Sequence, residues 1–218
     1  MNQLIFKFPF SKRYYEQDFF VSSNNFSAYK LIENWPTWPG KWLNIFGDSG
    51  SGKTHLAKIL EKKIDKIQLI DAKNVNNRII QDLNDVDCLI IDSFENNIEE
   101  NLLYSILNQS KQLENYILIN STPSIKNMSF SLEDLKSRIN SFLYFGIELP
   151  TDGLLKVIIS KTLSDKQINI NPRVSDYIIN NVERSYEKLF KFLKEVDEMS
   201  LSTGKSININ LIKKVLNK

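Results

Sequence analysis

Gly47-Asp48-Ser49-Gly50-Ser51-Gly52-Lys53-Thr54 fits the pattern G-x-x-x-x-G-K-[ST] at every fixed position. The spacing follows from chemistry. Glycines let the backbone curl until successive N–H groups aim at one anion. A helix beginning near Gly52 adds its positive end. Lys53 can reach the outer phosphates of a nucleotide, and Thr54 supplies a hydroxyl suited to Mg2+. A glycine-rich turn can match such a pattern by chance, but the flanks argue against it. Trp42-Leu43-Asn44-Ile45-Phe46 is an apolar run with strand character, and Leu56, Ala57, Ile59 and Leu60 repeat at helical spacing directly after the loop. The expected ligand is ATP or ADP with Mg2+, held by Gly47, Asp48, Ser49, Gly50, Ser51, Gly52, Lys53 and Thr54, with His55 at the head of the helix.

Outward from the loop, strands and helices alternate. Strands are expected at 67–70, 88–91, 116–119 and 142–149, and helices at 75–83, 98–113 and 132–139, after an earlier helix at 25–35. That alternation implies an α/β fold with a parallel sheet covered on both faces. Ligands bind such sheets beyond the carboxyl ends of the strands. Leu89-Ile90-Ile91 ends in Asp92 at one of those ends, so Asp92 is expected to join Thr54 in holding Mg2+. From Asp152 onward only helical patterns occur. The expected organisation is an arm over 1–18, a nucleotide-binding α/β core over 19–150 and a small all-helical lid domain over 151–218.

The whole chain narrows the function classes. Its 218 residues carry a net charge of +2, too little for a global field that would drive binding to nucleic acid or anionic lipid. The helical segment is mildly basic, a pattern that a solvated helix face explains as well as contact with duplex DNA. The lone cysteine, Cys88, lies in the apolar run Leu89-Ile90-Ile91 and is read as a core residue. A single histidine, His55, excludes a multi-histidine metal site. No apolar run approaches the ~20 residues of a membrane helix, and the short apolar start, Met1 to Phe10, lacks a basic leader and a cleavage site. A cytoplasmic location is expected.

The order of features (phosphate loop, acidic strand end, polar strand end, arginine-bearing helix, helical lid) resembles the AAA+ ATPases of the DnaA type, and within them the short Hda-like branch. The resemblance covers nearly the whole chain. Asp18-Phe19-Phe20-Val21 with Asn25 and Ala28 resembles the family's lead-in segment over the adenine. Trp35-Pro36-Thr37-Trp38-Pro39-Gly40 is similar to alphaproteobacterial members, and Ile207 to Leu216 resembles the last element of the Hda-like branch. Leu135-Lys136-Ser137-Arg138 resembles the box carrying the arginine finger, which makes Arg138 a catalytic group acting in trans. Asn120-Ser121-Thr122 resembles the sensor-one strand end, with Ser121 taken as the sensor; which of the three faces the phosphate is open. Gln3-Leu4-Ile5-Phe6-Lys7-Phe8 resembles the family's sliding-clamp peptide, with Gln3, Leu4, Phe6 and Phe8 as contacts and Phe6 replacing an aliphatic anchor.

The resemblance implies a regulator of chromosomal replication initiation that docks on the sliding clamp and promotes ATP hydrolysis on DnaA. Contact with duplex DNA would come through the clamp, and nucleotide-dependent self-association is compatible with the fold. Full DnaA proteins carry a further DNA-reading domain, for which a chain stopping at Lys218 has no room. The alternative is a DnaA-like or helicase-loader ATPase acting on DNA directly; a small-molecule kinase fits the helical lid poorly. Two departures stand out. Ser93 follows Asp92 where most AAA+ ATPases place a glutamate, and the next carboxylate is Glu95. Glu187 aligns with the usual sensor-two arginine; either Arg184 or Lys188 substitutes, or the protein prefers a diphosphate. Both imply an ATPase fold with weak intrinsic hydrolysis.

Overall fold

The computed structural model describes residues 14–217, which divide into two compact units, one from Tyr14 to Glu148 and one from Leu149 onward. In the first unit the elements run α1 (Phe26–Glu33), β1 (Trp42–Gly47), α2 (Lys53–Glu61), β2 (Ile67–Asp71), α3 (Arg78–Asp82), β3 (Cys88–Phe94), α4 (Glu100–Leu113), β4 (Tyr116–Ser121), α5 (Glu133–Ile139) and β5 (Leu143–Ile147). All strand pairs are parallel, and the sheet order is β2-β3-β4-β1-β5. Parallel strands covered on both faces need apolar side chains on both, and β1, β3 and β4 are buried almost throughout. Alternate residues feed two cores. Leu89, Ile91 and Phe94 pack with Leu103, Ile106 and Leu107 of α4 and Leu135 and Ile139 of α5. Cys88, Ile90, Leu43 and Ile45 pack on the other face with α1 and with Leu56, Ala57, Ile59 and Leu60 of α2. Cys88 is a packing residue as expected; burial pushes its thiol up, away from reactivity.

One buried polar residue ties the sheet together. The Asn44 side chain, fully buried in β1, donates to Ile119 O (2.8 Å) and Ser121 Oγ (2.9 Å) and accepts from Ile125 N (3.1 Å). Replacing it by alanine leaves these β4 and post-β4 groups unsatisfied. Asn44→Ala is expected to lower the unfolding free energy by about 3 kcal/mol, read from the urea midpoint.

The segment Tyr14–Asp18, read from sequence as part of the arm, packs on α2 in the first unit. Tyr14 O accepts from Lys62 Nζ at 2.5 Å, Glu16 pairs with Lys63 at 2.7 Å, and Glu16–Asp18 forms one 3-10 turn. The expected contacts at Gln3, Leu4, Phe6 and Phe8 lie outside the described residues.

The second unit is helical: α6 (Asp152–Ser164), α7 (Pro172–Asn181), α8 (Tyr186–Thr203) and α9 (Ile209–Leu216). Local sequence sets its boundaries. The Thr151 hydroxyl accepts from Leu154 N at the head of α6, and Asn171 accepts from Arg173 N ahead of Pro172 in α7. Gly204, at φ +63°, ends α8, and Asn208 accepts from Leu211 N to open α9. Leu155, Ile159, Ile178, Leu189, Leu193 and Ile212 meet in one core. Among the described residues no helix is long and apolar enough to cross a membrane.

Candidate nucleotide-binding site

The phosphate loop joins β1 to α2 at the carboxyl edge of the sheet. Its glycines are forced by crowding and backbone shape. A Cβ on Gly47 would sit 2.7 Å from Ile147 O, and Gly52, at φ +102°, would place one 2.9 Å from the Phe19 ring. The Ser51 hydroxyl inside the curl is buried and has no hydrogen-bond partner among the described residues. Lys53 Nζ donates to Gly47 O (2.7 Å) and Asp48 O (2.9 Å), so its ammonium lies over its own loop. Burial pushes this lysine below its ordinary range, and the charges of Asp92, Asp48 and Glu95 oppose that shift. The half-buried ammonium bears a desolvation cost that an anionic ligand would relieve.

Asp92 ends up where the sequence places it. Its Oδ2 accepts from Thr54 Oγ1 (2.8 Å) and its Oδ1 from Asn120 Nδ2 (2.9 Å). No group of three His, Cys, Asp or Glu side chains among the described residues could hold a metal alone. The pair Thr54 and Asp92 nevertheless suits Mg2+, which takes one or two protein oxygens and completes its shell with phosphate and water.

At the end of β4 the structure corrects the sequence reading. Ser121 is turned away from the loop: its buried hydroxyl accepts from Asn44 on the α4–α5 face of the sheet. The residue beside the loop is Asn120, whose amide bonds both Asp92 Oδ1 and Lys53 O (3.1 Å). Its Oδ1 is buried and unpartnered among the described residues. Period-two alternation allows only one of two neighbours to face α2, and here it is Asn120. Thr122 Oγ1 donates to Gly47 O at 2.7 Å, a third tie to the loop that the motif did not reveal.

His55 serves the loop from behind. Its Nε2 lies 2.7 Å from Tyr15 O, so that nitrogen carries the proton. The ring meets Tyr14 and Phe19 edge-on, and Phe19 stacks on Tyr29 with centroids 5.7 Å apart.

Arg138 stands elsewhere. Its Nε donates to Asn108 Oδ1 of α4 (2.9 Å), and it lines a cleft of about 450 Å3 with Lys41, Trp42, Lys111 and Glu114. Trp42 is the first residue of six-residue β1 and Gly47 the last. At about 3.3 Å per residue, roughly 17 Å of strand separates the cleft end from the loop end. Helix α5 is fixed at its other end by Glu100, whose carboxylate accepts from Ser131 N and Leu132 N; these bonds hold that carboxyl below the usual range. In the helical unit, Arg184 pairs with Asp152 at 3.0 Å, Lys188 lies 3.9 Å from Glu183, and Glu187 is exposed.

A five-stranded parallel sheet, a glycine-rich loop crowned by lysine, an acidic strand end and a helical unit after β5 define an AAA+ P-loop fold. Comparison with known proteins narrows the class. A family model for the lid domain of Hda matches residues 156–216. An uncharacterised Haemophilus influenzae protein is 22% identical, with 92% of each chain covered. The replication initiator DnaA of Buchnera aphidicola is 25% identical across 95% of this chain and 53% of its own length. Among solved structures, domain III of Thermotoga maritima DnaA superposes with a TM-score of 0.78 at 22% identity, covering 96% of this chain and 98% of that one. AMPPCP-bound DnaA from Aquifex aeolicus gives 0.67 at 21% identity, covering 86% and 66%. The chain has the AAA+ fold of DnaA domain III, its helical segment matches the Hda lid, and it spans about half the length of the Buchnera initiator.

Proposed function

We propose that this chain is a nucleotide-binding, Hda-like regulator of chromosomal replication initiation. It holds ATP or ADP in its own loop, docks on the sliding clamp through Gln3, Leu4, Phe6 and Phe8, and offers Arg138 to ATP held by DnaA. The observation that carries this reading is the distance between Arg138 and the chain's own loop, about the length of a strand. A guanidinium there does not reach a phosphate on Gly47–Thr54, yet Arg138 lines a cleft where a neighbour's phosphates could be met. The Hda-type lid and the nucleotide bound by the DnaA neighbour support the same reading.

In the nucleotide site, the loop N–H groups and the Lys53 ammonium hold the phosphates. Lys53 exchanges the Gly47 and Asp48 carbonyls for phosphate oxygens, which removes the desolvation cost it bears. Thr54 and Asp92 would hold Mg2+, which when bound neutralises charge on the phosphate oxygens. Asn120 orients Asp92, and its buried carbonyl oxygen has no partner among the described residues.

Clamp docking uses apolar side chains in a groove with glutamine making the polar contacts. The double variant Gln3→Ala/Leu4→Ala is expected to lose clamp capture in a pull-down while keeping its nucleotide affinity. DNA-stimulated ATP turnover in the absence of clamp, with clamp capture unaffected by these substitutions, would instead favour a loader acting on DNA.

A further inference from the structure

Ser93 leaves this site without the glutamate that follows the strand-end aspartate in most AAA+ ATPases, and the folded β3 shows where a carboxylate comes from instead. The strand does not run straight through its carboxyl end. Ile91 pairs with Ile119 and Phe94 with Ser121, so three steps on β3 match two on β4. The extra residue makes a β-bulge, and Ser93 takes the left-handed conformation, φ +59°, that non-glycine residues rarely adopt. The bulge reverses the alternation. Leu89 and Ile91 point into the α4–α5 core, and strict period two would send Ser93 there next; Phe94 goes instead and is fully buried. The following residue, Glu95, comes directly after the end of β3, at the sheet edge that carries Asp92, Lys53 and Thr54.

Glu95 is held there from both sides. Phe94 and Ile98 are buried anchors, Glu95 N donates to Asn97 Oδ1 (3.3 Å), and Asn96 Nδ2 donates to Ser129 O (3.1 Å). The Glu95 side chain is exposed, and among the described residues no hydrogen bond or ion pair holds its carboxylate. Its charge is felt at Lys53, along with those of Asp92 and Asp48. Asp92 is spent on Thr54 and Asn120, and Asp48 sits in the loop itself, so Glu95 is the carboxylate left to meet a water.

We propose that Glu95 is the catalytic carboxylate of this chain's own nucleoside-triphosphate hydrolysis. The assignment rests on the nucleotide-binding reading above. Glu95 accepts a proton from the water that attacks the γ-phosphorus; the new P–O bond forms as the bond from that phosphorus to the bridging oxygen breaks, and the proton passes on to the released phosphate. A base delivered by a bulge, three residues past the metal-side aspartate, gives slow turnover and leaves the chain in a long-lived triphosphate state.

The test is single-turnover hydrolysis of ATP by excess full-length protein with Mg2+, together with ATP and ADP affinities by calorimetry. Glu95→Gln is expected to slow phosphate release at least about 100-fold, the range of a lost general base, with both affinities within about threefold of the unmodified chain. The double variant Ser93→Glu/Glu95→Gln is expected to remain slow, because a side chain at 93 leaves the backbone from the left-handed bulge residue itself rather than from the position past it. A Glu95→Gln rate within about threefold of the unmodified chain would overturn the assignment. So would recovery in the double variant, or an unmodified chain that binds ATP and releases no phosphate above background. Failure of the unmodified chain to bind ATP at all would sink the nucleotide reading itself.

Discussion

Lys53→Ala is expected to weaken ATP and ADP binding at least about 100-fold, or about 2.8 kcal/mol, in calorimetric titration. The size follows from geometry and charge together. The ammonium is half-buried over the loop, and burial already holds it below the ordinary lysine range. A bound polyphosphate favours the charged form, so binding raises the lysine pKa. Protons are then taken up on binding wherever pH lies between the free and bound values. Affinity is full below the free-protein value and falls as pH rises through it; alanine at 53 removes that alkaline decline along with the affinity. The fold should tolerate the change, since the Lys53 ammonium donates to the Gly47 and Asp48 carbonyls of its own loop.

Arg138→Ala is expected to lower clamp-dependent hydrolysis of DnaA-bound ATP about 1,000-fold, the scale of a missing arginine finger. The variant's own nucleotide affinity and clamp capture should not move, because its place beside Asn108 and Trp42 is a strand's length from the loop. Arg138→Lys should recover little. The guanidinium spends Nε on Asn108 and keeps the four N–H donors of its two Nη nitrogens in a fixed fork, and an ammonium cannot do both. Loss of own-nucleotide binding in Arg138→Ala would contradict the separation of the two sites.

Most of the fold was legible because it rests on local pattern. The apolar run Trp42–Phe46, the loop itself and Leu56–Leu60 each carry their own periodicity, and strand, turn and helix follow. Helix α6 starts at Asp152, where the helical patterns begin in the sequence, because Thr151 caps it locally. Asp92 was legible for the same reason: it ends an apolar strand beside the motif. What failed depends on phase set by distant partners. Whether Asn120 or Ser121 faces the loop is decided by how β4 pairs with β1 and β3, and neither residue announces its face. Asn44 looks like a blemish in an apolar strand until Ile119 and Ile125 are placed around it. The bulge at Ser93 has no glycine to mark it, so Glu95 read as a carboxylate out of position. Arg138 was singled out only through the likeness of Leu135–Arg138 to a known box; its partner Asn108, thirty residues away, carries no such mark.

The central claim is that backbone amides of Gly47–Thr54 and the Lys53 ammonium grip a polyphosphate. Isothermal titration of the purified full chain with ADP and with ATP, in Mg2+ at neutral pH, measures it directly. The account predicts saturable binding of one adenine nucleotide per chain, with adenosine at least about 100-fold weaker because it has no phosphate for the loop to hold. Heat no larger than dilution for both nucleotides, or adenosine binding as tightly as ADP, would contradict it.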